Sequence, residues 1–173
     1  MPTSGSGAYN QAISYVTNAT GGTLRNPARR TQIINQAGAT ISATSIGVKF
    51  DHAATTLLNR GTIIGTGTDA IAFTAPRTGG VVGYLANELD VYAGSSIIGN
   101  VSGGGGRLAL ADNASIAGLG SSITNFSTLA LFHQSVTAAG NIAGLGTMTI
   151  VGFAPQQTID LTDFVAISQY YNR

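Results

Sequence analysis

The sequence predicts an all-β protein folded as a single-stranded parallel β-solenoid of about six coils. Three observations carry this prediction: units that recur at a nearly constant spacing, alternation of apolar and small polar residues within each unit, and an unusual composition. Only 9% of the 173 residues are charged, whereas 24 are glycine and 43% are hydrophobic. Short strands joined by tight turns suit this composition, but long amphipathic helices need more charge on their wet faces.

The clearest repeat lies between residues 33 and 73. The stretch Ile33–Phe50 reads IINQAGATISATSIGVKF, and Leu57–Phe73 reads LLNRGTIIGTGTDAIAF. Asn35 matches Asn59 at an offset of 24, and the Thr-Ile and apolar-x-Phe pairs that follow match at offsets of 22 and 23. Each unit therefore predicts one coil: an apolar strand, an asparagine, a glycine-containing turn and two further short strands.

A second repeat lies in the C-terminal half. The sequence IAGLG occurs at Ile116–Gly120 and again at Ile142–Gly146, an offset of 26, which predicts equivalent positions in successive coils. Between the two repeats, alternating residues predict three more strands at Leu89–Tyr92, Ser96–Ile98 and Arg107–Ala111. In-register stacking also explains the low charge, because like charges about 4.8 Å apart repel and Asn, Thr and Ser do not.

Alternation within the strands predicts which side chains fill a shared interior. Residues 1–32 are expected to form an N-terminal cap or irregular segment, residues 33–164 the solenoid, and residues 165–173 a C-terminal tail. The expected inward positions are Ile41, Val48, Phe50, Ile63, Ile71, Phe73, Leu89, Val91, Ile97, Leu108, Leu110, Ile116, Leu129, Leu131, Ile142, Ile150, Ile159 and Leu161.

Charge and residue content argue against several function classes. The formal net charge of +1 is too small for the basic field that holds a nucleic acid. No apolar run approaches the ~18 residues of a membrane-spanning helix, and the N-terminal residues lack the features of a signal peptide. Because cysteine is absent, disulfides and cysteine-based zinc sites are excluded, and we expect no cofactor or metal.

One glycine motif has the spacing of a dinucleotide-binding loop, Gly65-x-Gly67-x-x-Ala70. Such a loop must open a helix whose N-terminus holds the phosphates. The residues that follow alternate like a strand and soon reach Pro76. We therefore interpret the motif as a tight corner of the solenoid, and we interpret Gly103–Gly106 as a turn for the same reason.

Carboxylates are the remaining source of chemistry, since glycoside hydrolysis needs two of them on one face. Asp69 and Asp90 are separated by close to one period and are candidates to lie one coil apart, with Arg77 or Arg107 nearby. The spacing does not require this, so solvated turn carboxylates are favoured and no catalytic residue is assigned. The acids considered are Asp51, Asp69, Glu88, Asp90, Asp112, Asp160 and Asp163.

The other candidates are aromatic or basic side chains. His52 and His133 have no G-x-S-x-G motif beside them and are interpreted as residues of surface loops. Tyr84 and Tyr92 would favour carbohydrate binding if both belonged to an exposed aromatic platform.

Several segments resemble the repeating units of bacterial autotransporter passenger domains. These are NRGTIIGTGTDAIAF (59–73), LDVYAGSSIIGNVSGGGGRLALA (89–111) and FSTLAL (126–131). FAPQQTIDLTDF (153–164) resembles a segment of large secreted adhesins with haemolysin-type repeats. The resemblance implies a right-handed parallel β-helix presented outside the cell, often adhesive. The outer-membrane barrel of that family is not in this sequence, so we expect part of a longer protein or a stand-alone relative.

The resulting functional expectation is a non-enzymatic extracellular or cell-surface module, structural or adhesive. Its expected partners are a second copy, stacked end to end, or a glycan or protein of a cell surface; neither nucleic acid nor a membrane span is expected. The alternatives are a polysaccharide lyase or hydrolase, which needs acids converging within ~10 Å around a basic residue, and a passive carbohydrate-binding β-helix.

Overall fold

The structure, a computed structural model, describes residues 31–50, 55–74, 87–132, 135–141 and 144–162. These residues form strands and no α-helix. The strands are β1 (Thr31–Asn35), β2 (Thr40–Ala43), β3 (Val48–Phe50), β4 (Thr55–Asn59), β5 (Thr62–Phe73), β6 (Glu88–Val91), β7 (Ser96–Ala111), β8 (Ser115–Leu119), β9 (Ile123–Phe132), β10 (Thr137–Asn141), β11 (Thr149–Val151) and β12 (Thr158–Thr162).

Described strand pairs are all parallel, and they join each winding of the chain to the windings before and after it. The result is a β-solenoid of about five turns, which confirms the predicted fold class. Three of the strands, β5, β7 and β9, bend through corners and so belong to more than one face of the stack.

Strand register confirms the first sequence repeat. Asn35 pairs with Asn59, Ile41 with Ile63 and the two phenylalanines Phe50 and Phe73 with each other. The phenylalanine rings stack with centroids 4.7 Å apart and planes inclined by 10°. Equal residue types thus lie on each other because the hydrogen-bond ladder holds successive coils in register.

The second repeat is wrong as a guide to register. Ile116 pairs with Ala138, an offset of 22 rather than 26, and the pairing continues to Leu119 and Gly140. Ala138 is fully buried and takes the inward position that the prediction gave to Ile142, which lies outside the described residues. The second IAGLG copy begins after β10, so the five-residue identity reflects a chain rich in glycine and alanine.

The interior is a continuous column of apolar side chains. Predicted inward residues that are buried are Ile41, Val48, Phe50, Ile63, Ile71, Phe73, Leu89, Val91, Leu108, Leu110, Ile116, Leu129 and Leu131. Ile97, Ile159 and Leu161 pack against this core but are only partly buried. Ile150 is 42% exposed, contrary to prediction, because it lies over Leu129 at the end of the described stack, where no further described strand covers it.

Glycine is required at two corners by close backbone contact or by backbone conformation. At the first corner, a Cβ on Gly65 would lie 2.0 Å from the carbonyl oxygen of Asp69, where β5 folds on itself and its register with β7 shifts. Gly104 and Gly105 turn the middle of β7 with φ of 57° and 78°, values that L-residues adopt only at a cost. Both glycine motifs are therefore corners, as the sequence indicated.

Two asparagines are buried within the apolar column. The Nδ2 atom of Asn35 donates to Oδ1 of Asn59 at 2.8 Å and to the carbonyl oxygen of Thr62 at 3.1 Å. Both side chains are fully buried, and the next coil has Val91 at this position. The stack of asparagines is therefore only two residues long. The hydrogen bond between their side-chain amides joins the first two described coils at a corner.

Replacing both of these asparagines should destabilise the protein by less than the sum of the two single replacements. Asn35→Val leaves the buried Oδ1 of Asn59 without its donor, so we expect a loss of about 1–3 kcal/mol in the free energy of unfolding. Asn35→Val with Asn59→Val removes both partners and should cost clearly less than the sum of the single variants. Urea unfolding followed by circular dichroism measures this, and additive losses would contradict it.

Candidate functional site: a lateral groove

A groove of about 420 Å³ runs along one outer face of the solenoid. Strand alternation creates it, because Leu89 and Val91 of β6 point inward while Glu88 and Asp90 point outward. We call it the lateral groove, and its lining consists of Arg60, Glu88, Asp90, Tyr92, Arg107, Ala109, Ala111, Asp112 and Phe132.

Arg107 contacts two other residues of the lateral groove, Glu88 and Phe132. Register places it beside Glu88, and its Nη1 atom lies 3.0 Å from Oε1 of that residue. Its guanidinium carbon is also 4.7 Å from the ring centre of Phe132. That ring belongs to the next coil. Ala109 and Ala130, which are paired between the two coils, are buried although they point outward.

A second arginine stacks on a second ring at the other end of the groove. The guanidinium carbon of Arg60 lies 4.2 Å from the ring centre of Tyr92. Such contacts are worth about 0.5–1 kcal/mol at exposed sites. Backbone hydrogen bonds fix both residues. The Arg60 N–H donates to the carbonyl oxygen of Asn35 at 2.9 Å, and the Tyr92 N–H donates to the carbonyl oxygen of Asn59 at 3.1 Å.

Asp90 is the electrostatically unusual residue of the groove. It stands between Leu58 of the preceding coil and Ala109 of the following one, and its buried Oδ1 atom has no hydrogen-bond partner. The pKa of Asp90 is raised to about 7, chiefly because burial desolvates the carboxylate and also because Glu88 is its neighbour, while Arg107 partly opposes the rise. Near neutral pH the carboxyl group of Asp90 is therefore protonated in a large fraction of the molecules.

Asp69 and Asp90, which the sequence left as candidates to lie one coil apart, are not paired in the structure. Asp69 pairs with Asn100, whereas Asp90 pairs with Leu58 and Ala109. The two acids are separated in sequence by close to one period, but Thr56 pairs with Glu88 across a coil with an offset of 32. A longer coil therefore breaks the period between the two acids.

Other candidates from the sequence separate into those the structure places and those it does not describe. Tyr92 and Arg107 line the lateral groove, together with three of the seven acids: Glu88, Asp90 and Asp112. Asp160 lies on β12, paired with Ala139. The candidates that lie outside the described residues are Asp51, His52, Arg77, Tyr84, His133 and Asp163.

Two of the carboxyl groups of the groove, those of Glu88 and Asp90, do not have the spacing of a glycosidase pair. Glu88 and Asp90 are in hydrogen-bond contact with each other, whereas glycosidase carboxyls are about 5 Å or more apart so that the sugar fits between them. Glu88 is also held by Arg107. Over the described part of the chain, no three histidine, cysteine or acidic side chains converge as a metal site.

The complete set of residues that line this groove was not predicted from the sequence. Alternation around Leu89 was sufficient to put Glu88, Asp90 and Tyr92 on one outer face. Arg60 and Phe132 could not be added, because their approach depends on coil lengths that the repeat pattern does not give.

Comparison of the chain with protein-family models, curated proteins and solved structures gives no match. No helix in the described ranges is long and apolar enough to cross a membrane. The fold and the side chains of its outer faces are therefore the basis on which a function can be proposed.

The raised pKa of Asp90 predicts a pH-dependent stability. The unfolded carboxyl ionises near pH 4 and the folded one near pH 7, so between these values the folded state binds more protons. The free energy of unfolding should consequently fall as pH rises through this window. Asp90→Asn should lose this slope and be more stable than the unsubstituted protein above pH 7.

Thermal unfolding of both proteins from pH 4 to 8 measures the effect. Asp112→Asn is the matched control, since Asp112 lines the same groove but is exposed, and it should keep the slope. An unchanged slope in Asp90→Asn would contradict the assignment.

Proposed function

We propose that this chain is a non-enzymatic structural and adhesive module of the autotransporter-passenger type, acting outside the cell. The supporting observation is the solenoid interior, which is filled along its length by apolar side chains that are almost completely buried. A filled interior makes the chain a stiff spacer, and its contacts with partners are made by its outer faces and its ends.

The acids of the lateral groove support a non-enzymatic role. Glu88 is committed to an ion pair with Arg107 and to a contact with Asp90. Neither carboxyl is placed to act across a glycosidic bond from the other. The pair of Glu88 and Asp90 is thus better suited to holding a partner than to transforming one.

The C-terminal end of the described stack supports end-to-end association. Ile150 and Val151 of β11 are 42% and 41% exposed, and a cleft of about 110 Å³ lies among Leu145, Met148 and Leu161. Within the described residues, β11 and β12 are each paired on one side only. Strand edges that have no described partner and lie beside apolar side chains favour pairing with another chain, and a head-to-tail contact continues without closing.

End-to-end association predicts filaments in negative-stain images at rising protein concentration. Ile150→Lys places a charge over the interior column at this end, so it should shift the population to discrete particles. Ile98→Lys is the control, because Ile98 is 52% exposed on an outer face, and it should leave filament length unchanged. Discrete particles for the unsubstituted protein at every concentration would contradict the association.

Carbohydrate binding by the lateral groove is the second candidate. The groove joins the donors of Arg60 and Arg107 to the acceptors of Glu88 and Asp90 beside the rings of Tyr92 and Phe132. Hydrogen-bonding groups around an aromatic surface suit a polyhydroxylated ligand. A platform of Tyr84 and Tyr92 stays a prediction, since Tyr84 lies outside the described residues.

A glycan array tests this candidate. The protein should retain a subset of glycans without altering them, and Arg60→Ala should weaken binding at least tenfold because it removes a charged hydrogen-bond donor from the groove. Lys49→Ala, on β3 of another face, should bind as the unsubstituted protein does. Product release would contradict the non-enzymatic proposal, whereas absence of retention would contradict only glycan binding.

A further inference from the structure

The hydrogen-bonded stack is interrupted at one place within the described residues. The face that carries β2, the first parts of β5 and β7, β8, β10 and β12 is paired from one coil to the next, except between Ser96–Ile98 of β7 and β8. The same two coils stay joined on the other faces, where Val101 pairs with Ile123 and Leu108 with Leu129. One face has therefore opened while its neighbours remain closed.

A cleft of about 240 Å³ occupies the interruption, and we call it the strand slot. Its lining is Val91, Ser95, Ser96, Ile97, Gly99, Ser115, Ile116, Ala117, Ser122 and Ile123. Ile97 is only partly buried there, whereas Ile41 and Ile63 at the same position of the earlier coils are fully buried. The strand slot thus explains why Ile97, which was predicted to point inward, is only partly buried.

The backbone on both sides of the strand slot matches an extended chain. Ser96–Ile98 pairs with β5 on its far side, and β8 pairs with β10 on its far side. On the slot-facing side Ser96–Ile98 has no described strand partner, and β8 has there only the single pair of Leu119 with Ile123 at its end. A segment inserted beside Ser115–Ala117 would therefore be bonded on both edges like a central strand. Ser96, Ser115 and Ala117 are exposed, which leaves the entrance open to another chain.

The side chains of the slot specify what kind of segment fits. None of the lining residues is charged. An inward side chain would meet Ile97 and Ile116, which favours a branched apolar residue, while outward side chains would lie beside serines, which favours small polar ones. The chain's own β2, Thr40–Ala43, has this pattern and occupies the corresponding place in the first described coil.

We propose that the strand slot binds an uncharged extended segment of a partner protein, of the pattern small polar, branched apolar, small polar, as an added β-strand. Main-chain hydrogen bonds to both edges provide the affinity, and the pocket between Ile97 and Ile116 selects the apolar side chain. This inference does not depend on the lateral groove or on association through the ends.

The first experiment asks whether the slot exists in solution. Paired strands bring Cα atoms within the range of a disulfide, about 4.4–6.8 Å. Thr62→Cys with Ser96→Cys joins residues that are paired and should oxidise readily. Ser96→Cys with Ser115→Cys spans the slot and should stay reduced under the same conditions. Equal rates of disulfide formation would overturn the proposal.

The second experiment asks whether a strand enters. A fluorescent peptide GATISA, the sequence of residues 38–43, is titrated with the full chain and followed by anisotropy. We expect saturable binding, at least tenfold weaker when proline replaces the peptide's serine and removes an N–H donor. Ala117→Trp at the slot entrance should weaken binding at least tenfold, whereas Ala139→Trp, on β10, should not.

Circular dichroism of both tryptophan variants verifies that the fold is kept. Absence of binding to the unsubstituted protein, or binding that Ala117→Trp leaves intact, would overturn the proposal.

Discussion

In-register parallel hydrogen bonding between coils is the constraint on which the rest of this structure depends. Because each strand pairs with its counterpart about 4.8 Å away, every side chain meets the residue at the same position of the next coil. Asn35 therefore lies on Asn59, Ile41 on Ile63 and Phe50 on Phe73. The low charge of the sequence follows from the same geometry, since a repeated charge would stack on itself.

The two surface features of interest arise where this regularity fails. One coil is much longer than its neighbours, as the pairing of Thr56 with Glu88 shows, and the next coil is short, since Glu88 pairs with Arg107. The change in length places Glu88 opposite Arg107 and Asp90 opposite Ala109, and all four residues line the lateral groove. The shorter coil is also the one whose Ser96–Ile98 segment separates from β8, which creates the strand slot.

Within the groove, neighbouring carboxyls differ because their surroundings differ. Glu88 has an arginine at 3.0 Å, whereas Asp90 stands between the apolar side chains of Leu58 and Ala109. Burial beside another acid favours its protonated form. Alternation along a single strand thus gives two acids of the same outer face with different electrostatic behaviour.

The sequence by itself determined the fold class, the parallel register of the first coils and most of the interior column, because these depend on local alternation and on a repeat of nearly constant length. Tertiary structure decided the register of Ile116 on Ala138, the separation of Asp69 from Asp90 and the approach of Arg60 and Phe132 to the groove. Those outcomes depend on how many residues separate the paired strands of successive coils, as the pairings of Thr56 with Glu88 and of Glu88 with Arg107 show. Residues added between strands leave the alternation within the strands unchanged, so the repeat pattern does not reveal them.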